Sequence, residues 1–193
     1  MDTIIDKTKT ALVVIDLQKG IVGMEGQPHQ AAAVVKNAAS LAEAFRKNNM
    51  PVFLVRVATS ADGKDRLNPI VDGENPWGNW QLPPDWAEIV PEMGPKEGDF
   101  VITKKQWGAF YGTELDLQLR RRNIDTIVLC GIATNIGVES TARFAFEYGY
   151  QQIFAEDAMT TRSSAEHDMS VKSTFARMGR IRKAEDIIKV LLP

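Results

Sequence analysis

Helices and strands alternate along nearly the whole chain, which predicts an α/β fold in three layers. A mainly parallel β-sheet is flanked by helices on both faces. Three observations carry this expectation. Thr10–Asp16 (TALVVID) is an unbroken apolar run, the pattern of a strand buried on both faces. Ala31–Lys47 then sets Val34, Val35, Ala38, Leu41, Ala42 and Phe45 at helical spacing. The same succession recurs further along, and strand–helix–strand units of this length close by right-handed crossovers into parallel pairs.

Asn48, Asn49 and Pro51 stop the first long helix, and Pro51–Val57 (PVFLVRV) is the second predicted strand. Ala58–Gly98 is irregular, rich in Pro and Gly, and carries Trp77, Trp80 and Trp86. A stretch of that length is a lid, a binding loop or an interface arm, or else an arm packed on the body with its tryptophans buried. Alternation resumes in the strand Asp99–Lys104. Thr113 is placed as the N-cap of a helix, with Asp116 three residues on and Leu115, Leu117 and Leu119 within it. Arg120, Arg121 and Arg122 end that helix, where positive charge suits the dipole. Thr126–Gly131 is a strand, and Val138–Tyr148 a helix closed by Gly149. Gln151–Ala155 is a strand, followed by a helix around Ser164–Met178. A short strand at Arg180–Arg182 leads into a closing helix, Ala184–Leu192. Neither a repeat nor a linker interrupts the pattern, so residues 1–193 are expected to form one domain.

Composition excludes several classes of function. Against 25 acidic residues stand 23 Lys and Arg, so there is no electrostatic footprint for nucleic acid. One cysteine permits no internal disulfide and points to a reducing compartment. The start MDTIIDKTKT lacks the apolar core of a leader, and no run approaches the ~20 apolar residues of a membrane span. A cytoplasmic protein with no membrane partner is expected. No GxGxxG follows the first strand, and GKD at Gly63 is not a P-loop.

Ligands of open α/β sheets bind outside the carboxyl ends of the strands. The first strand ends in Asp16, the third in Lys104, the fourth in the run Gly131–Gly137, and the fifth in Glu156-Asp157. Together they offer a proton-transfer group, a cation and backbone N–H groups opening a helix, the parts of an acyl-transfer or hydrolysis site.

The segments VVIDLQKG, KKQWGAFYGTELDLQLRRR and GIATNIGVESTARFAFEYGY, followed by AEDA, resemble the isochorismatase-like hydrolase family from Thr10 to Leu192. That family has Rossmann-like, largely parallel sheets and includes nicotinamidases, carbamoylsarcosine-type amidohydrolases and isochorismatases. The resemblance implies that Asp16 is the catalytic aspartate and Lys104 the catalytic lysine. It implies a cis peptide between Ile132 and Ala133, with the Ala133 and Gly137 amides binding developing negative charge. Gly137 stands where the amidases carry their nucleophilic cysteine. Glycine cannot form an acyl-enzyme, so non-covalent acid/base chemistry on a small-molecule substrate is expected. Isochorismatases also lack that cysteine and use an aspartate to protonate a vinyl ether, which water resolves. Whether Asp16 is acid or base turns on whether burial or Lys104 dominates its pKa. The other reading is a binding or regulatory protein that kept the pocket without turnover. Family members commonly associate, so a homodimer or higher homo-oligomer is expected, with Trp77–Trp86 as an apolar anchor.

The remaining candidates divide less sharply. Cys130 lies in TIVLCG, where a buried thiol is expected rather than a displaced nucleophile. Zinc-bearing relatives place Asp and two His between the second and third strands. That region has no histidine here, and His29 and His167 stand alone in sequence, so neither metal nor another cofactor is expected. Asp157 is a helix or turn cap in preference to a site residue. Glu139 and Arg143 form an i,i+4 ion pair. Trp107, Phe110 and Tyr111, close behind Lys104, are candidate pocket walls, though core packing would place aromatics there equally well.

Overall fold

The structure is a computed structural model that describes residues 5–73 and 82–192. Six strands form one wholly parallel sheet in the order β3-β2-β1-β4-β5-β6. They are β1 (Thr10–Ile15), β2 (Val52–Val57), β3 (Phe100–Lys104), β4 (Thr126–Ile132), β5 (Gln151–Thr160) and β6 (Arg180–Arg182). The helices are α1 (Lys19–Val22), α2 (Ala31–Lys47), α3 (Leu115–Arg121), α4 (Glu139–Glu147), α5 (Ser164–Met169), α6 (Ala176–Met178) and α7 (Ala184–Leu191). Two π-helical turns, Thr134–Val138 and Ser170–Phe175, lead into α4 and α6.

All six β1 residues are buried, because helices cover the sheet on both faces. The stripe Val34, Val35, Ala38, Leu41, Ala42 and Phe45 of α2 is buried as its spacing predicts, and α2 packs against both α7 and the central strands. Asn49 ends α2 in the left-handed region (φ 55), with the Met50 N–H returning to the Phe45 carbonyl. Arg46 then reaches Asp99 at 2.6 Å, tying the end of α2 to the start of β3.

Three elements differ from expectation. The helix foreseen from Thr113 begins at Leu115; the Thr113 hydroxyl accepts the Leu115 N–H but also donates to the Ala109 carbonyl, and Leu117 is exposed. The helix around Ser164–Met178 is present but contains the π-turn Ser170–Phe175. β5 does not stop at the carboxylates but runs on to Thr160. Its pairing passes from Leu129↔Phe154 to Gly131↔Met159, so Ala155–Ala158 bulge opposite Cys130. A bulge takes two charged residues out of the strand alternation without ending the strand. Trp77 and Trp80 lie outside the described residues, whereas Trp86 is buried against Gly20 and offers no surface anchor.

Gly131 sets how closely β4 approaches β1. Its φ is +123°, and a Cβ there would lie 2.1 Å from the Ile15 carbonyl oxygen. Gly131→Ala is therefore expected to lower unfolding stability by about 3 kcal/mol or more, measured by urea denaturation. A loss under 1 kcal/mol would show that the strands can separate at this point.

Candidate active site

From β1 the chain winds outward through β2 to β3, then returns on the other side of β1 as β4. The loops after β1 and β4 therefore lie on either side of the switch in strand order, the place where ligands of open α/β sheets bind. Asp16 directly follows β1, and the Ala133–Gly137 turn directly follows β4. Asp16 adopts φ 53, a conformation Asp tolerates better than most residues, while its N–H donates to the Val55 carbonyl at 2.9 Å. Lys104 ends β3, two strands from β1 and so roughly 10 Å away at ordinary strand spacing. Its four-carbon stem covers most of that distance beneath the loops, and only lysine or arginine has the length.

The structure brings these two side chains together. Lys104 Nζ donates to Asp16 Oδ2 at 2.7 Å and to the Trp107 carbonyl at 2.6 Å, and both residues are buried. Asp16 Oδ1 is buried with no hydrogen-bond partner. Burial raises the carboxyl pKa and the Lys104 charge lowers it; burial is the larger effect, and the Asp16 pKa is pushed up to about 6.

Gly137 closes the third side. A Cβ built on it would lie 3.2 Å from Asp16 Oδ2, 3.4 Å from Lys104 Nζ and 3.0 Å from Ile15 Cγ2. Any side chain here would start against the ion pair, and glycine lets the turn pack close to it. The Ile132–Ala133 peptide is cis, and the Ala133 carbonyl accepts from the Ile136 and Val138 N–H groups. Trp107 contributes its carbonyl, while the residue as a whole is exposed. Tyr111 is also exposed. Phe110 is buried and packs edge-on against Tyr148, the core placement that was one of its two expected positions.

Two supporting residues escape sequence reasoning. The Gln18 amide donates to the Val57 and Trp86 carbonyls and accepts the Val57 N–H, joining the ends of β1 and β2 to the Trp86 segment. Thr141 Oγ1 donates to the Gly137 carbonyl at 2.7 Å and accepts the Ala109 N–H at 3.1 Å. It links the turn carrying Gly137 to the loop after Lys104. Both are ordinary polar residues in segments that look apolar and helical, so only their burial marks them.

At the β5 bulge Asp157 accepts the Ala184 N–H at 2.7 Å, capping α7 across the fold. Cys130 is fully buried, and burial pushes its thiol pKa up to about 12, which suits packing and not nucleophilic chemistry. Glu139 and Arg143 pair at 2.7 Å as expected. The two histidines, however, do not stand alone. His29 and His167 converge on Glu156, with their rings 5.7 Å apart. A surface groove of about 380 Å³ bordered by Arg143, Phe146, Arg177 and Met178 includes neither the histidines and Glu156 nor Asp16 and Lys104.

Residues 10–186 match the isochorismatase domain family. The chain is 56% identical to the isochorismatase family protein YwoC of Bacillus subtilis over 185 residues, covering 96% of this chain and 95% of that one. An isochorismatase family protein of Burkholderia thailandensis superposes with a TM-score of 0.93 at 41% identity, covering 99% of both chains. N-carbamoylsarcosine amidase from Thermoplasma acidophilum superposes with a TM-score of 0.73 at 29% identity, covering 92% of this chain and 97% of that one. No helix among the described residues is long and apolar enough to cross a membrane.

The geometry at Gly137 gives a direct test. Gly137→Cys sets a thiol beside Lys104, whose charge favours the thiolate, and beside Asp16, which can take its proton. Iodoacetamide should label this variant at least about tenfold faster at pH 7 than a free exposed thiol of ordinary pKa, with wild-type Cys130 unreactive. Adding Asp16→Ala should change the pH profile of labelling. A rate no faster than that of a free thiol would show that position 137 does not face a reactive pocket.

Proposed function

This chain belongs to the isochorismatase family and is a hydrolase by family; from that premise we propose that it cleaves a small molecule by non-covalent acid–base chemistry, with Asp16 as proton donor. The observation that carries this reading is the state of the Asp16 carboxyl. Burial outweighs the Lys104 charge and raises its pKa to about 6, so a useful fraction is protonated near neutral pH. Its second oxygen is unpartnered and faces no competing donor. Gly137 supplies no thiol, so no acyl-enzyme can form there.

A vinyl ether is the substrate class that suits a carboxylic acid beside a lysine. Asp16 gives its proton to the terminal vinyl carbon, and the carbon–carbon double bond becomes an oxocarbenium ion. Water adds to that cation and loses a proton, and the resulting hemiketal breaks into a ketone and an alcohol. The proton released by water restores Asp16. Lys104 offsets the carboxylate charge while Asp16 is deprotonated and is assigned to an anionic group of the bound substrate during turnover. The Ala133 and Gly137 amides, on the turn that follows β4, are assigned to polar groups of the substrate.

The test is a panel of small vinyl ethers and amides assayed with wild type and Asp16→Asn. Vinyl ether turnover should fall roughly 10²–10⁴-fold in the variant. Wild-type kcat/KM should decline as pH rises through about 6, because the active form is the protonated one. Lys104→Met removes the charge that lowers the Asp16 pKa, so that decline should move to higher pH. A kcat/KM that instead rises with pH through about 6 would reverse the roles and make Asp16 a base. Ligand binding without turnover in wild type would support the binding-protein reading.

A further inference from the structure

His29, Glu156 and His167 come from three separated segments, and each is directed by an identifiable contact. The bulge in β5 sets Ala155–Ala158 opposite the single residue Cys130 and aims Glu156 out of the strand. His29 follows the antiparallel bridge between Gln27 and Thr161, and its carbonyl accepts the Thr160 hydroxyl at 2.6 Å. His167 is buried on α5, with Nδ1 2.9 Å from the Thr134 hydroxyl, which leaves Nε2 facing Glu156. Glu156 Oε2 lies 3.4 Å from His29 Nε2 and 4.0 Å from His167 Nε2. One ligand atom from each residue falls within 4.8 Å of the other two.

We propose that these three residues form a divalent metal site of the zinc type, with His29, His167 and Glu156 as ligands and Thr134 orienting His167. Two imidazoles and a carboxylate are an established donor set for that ion, and Zn–N and Zn–O bonds of ~2.1 Å place tetrahedral ligand atoms about 3.4 Å apart. The His29–Glu156 separation already has that value, and the other two would close by rotation of the partly exposed His29 and Glu156 side chains. In the bound form the His167 Nδ1–H donates to the Thr134 hydroxyl, which fixes the tautomer and presents the Nε2 lone pair to the ion. Partial exposure of His29 and Glu156 leaves a fourth position for water.

The site does not use Asp16 or Lys104, so it goes beyond the proposed reaction. It does touch the same loop. Thr134 opens the π-turn that carries Gly137, so a bound ion would tie that turn through His167 to the β5 bulge and to the His29 segment.

The experiment uses the full chain, stripped with a chelator and titrated with ZnCl2 by calorimetry and with CoCl2 by visible absorption. One equivalent should bind per chain, with the intense visible bands of low-coordinate cobalt, and zinc should raise the thermal midpoint. His29→Ala, at a partly exposed position, and the near-isosteric Glu156→Gln should each weaken binding by at least about 100-fold and abolish the thermal shift. Thr134→Val should weaken it roughly 10-fold or more while keeping the stoichiometry. The proposal is overturned if wild type binds no tighter than His29→Ala and Glu156→Gln, or if cobalt gives only the weak bands of a hydrated ion. None of these readings requires a substrate, so they stand or fall separately from vinyl ether turnover.

Discussion

The Asp16–Lys104 pair is the contact on which the rest of the site depends. Removing an ion from water costs several kcal/mol even after relaxation, so neither group can remain charged in this interior alone. Their 2.7 Å contact, together with the Trp107 carbonyl, satisfies Lys104 and one oxygen of Asp16. This requirement constrains the topology around it. Lys104 must leave the edge strand β3, pass the end of β2 and meet the end of β1, which holds only if those strands are parallel and in register. The chain after Lys104 must also turn back sharply enough to offer the Trp107 carbonyl to its own ammonium group.

Compensation within the pair is incomplete, and the chemistry follows from what remains. Were Coulombic attraction dominant, Asp16 would be a carboxylate at any physiological pH and a poor acid. Desolvation is the larger effect, and the second carboxyl oxygen has no donor to stabilise its charge. The proton is consequently held near neutrality, where it can be given and recovered. The surrounding residues maintain this balance by keeping water and competing donors out. Gln18 spans the ends of β1 and β2, and Thr141 fastens the Gly137 turn to the loop beyond Lys104. Each satisfies backbone polar groups that burial would otherwise leave unpaired.

The β5 bulge plays a comparable part on the other side of the Gly137 turn. Adjacent carboxylates in a regular strand point to opposite faces, and two of them in an interior strand would be costly on both. The bulge separates their fates: Asp157 caps α7, while Glu156 meets the two histidines. The turn that carries Gly137 is thus held from one side by Thr141 and from the other by Thr134 and His167.

What could be learned from the chain alone was whatever depends on local pattern. The buried run of β1, the apolar stripe of α2, the Gly149 stop and the succession of strands and helices along the chain follow from hydrophobic periodicity and turn chemistry, which neighbours along the chain determine. The strand ends holding Asp16, Lys104 and Gly137 were legible for the same reason, since a parallel sheet collects such ends on one edge. Apart from the start of α3 and the π-turn Ser170–Phe175, which are local, the differences involve partners distant in sequence. Phe110 belongs to the core because α4 ends beside it, and β5 passes its two carboxylates because α7 and the histidines receive them. Likewise His29 and His167 look solitary in sequence, and Gln18 and Thr141 look ordinary. The pKa of Asp16 belongs to this second group. Residue identity places an acid near a base, but only the packing of the fold decides how much water either retains, and so whether desolvation or attraction governs the proton.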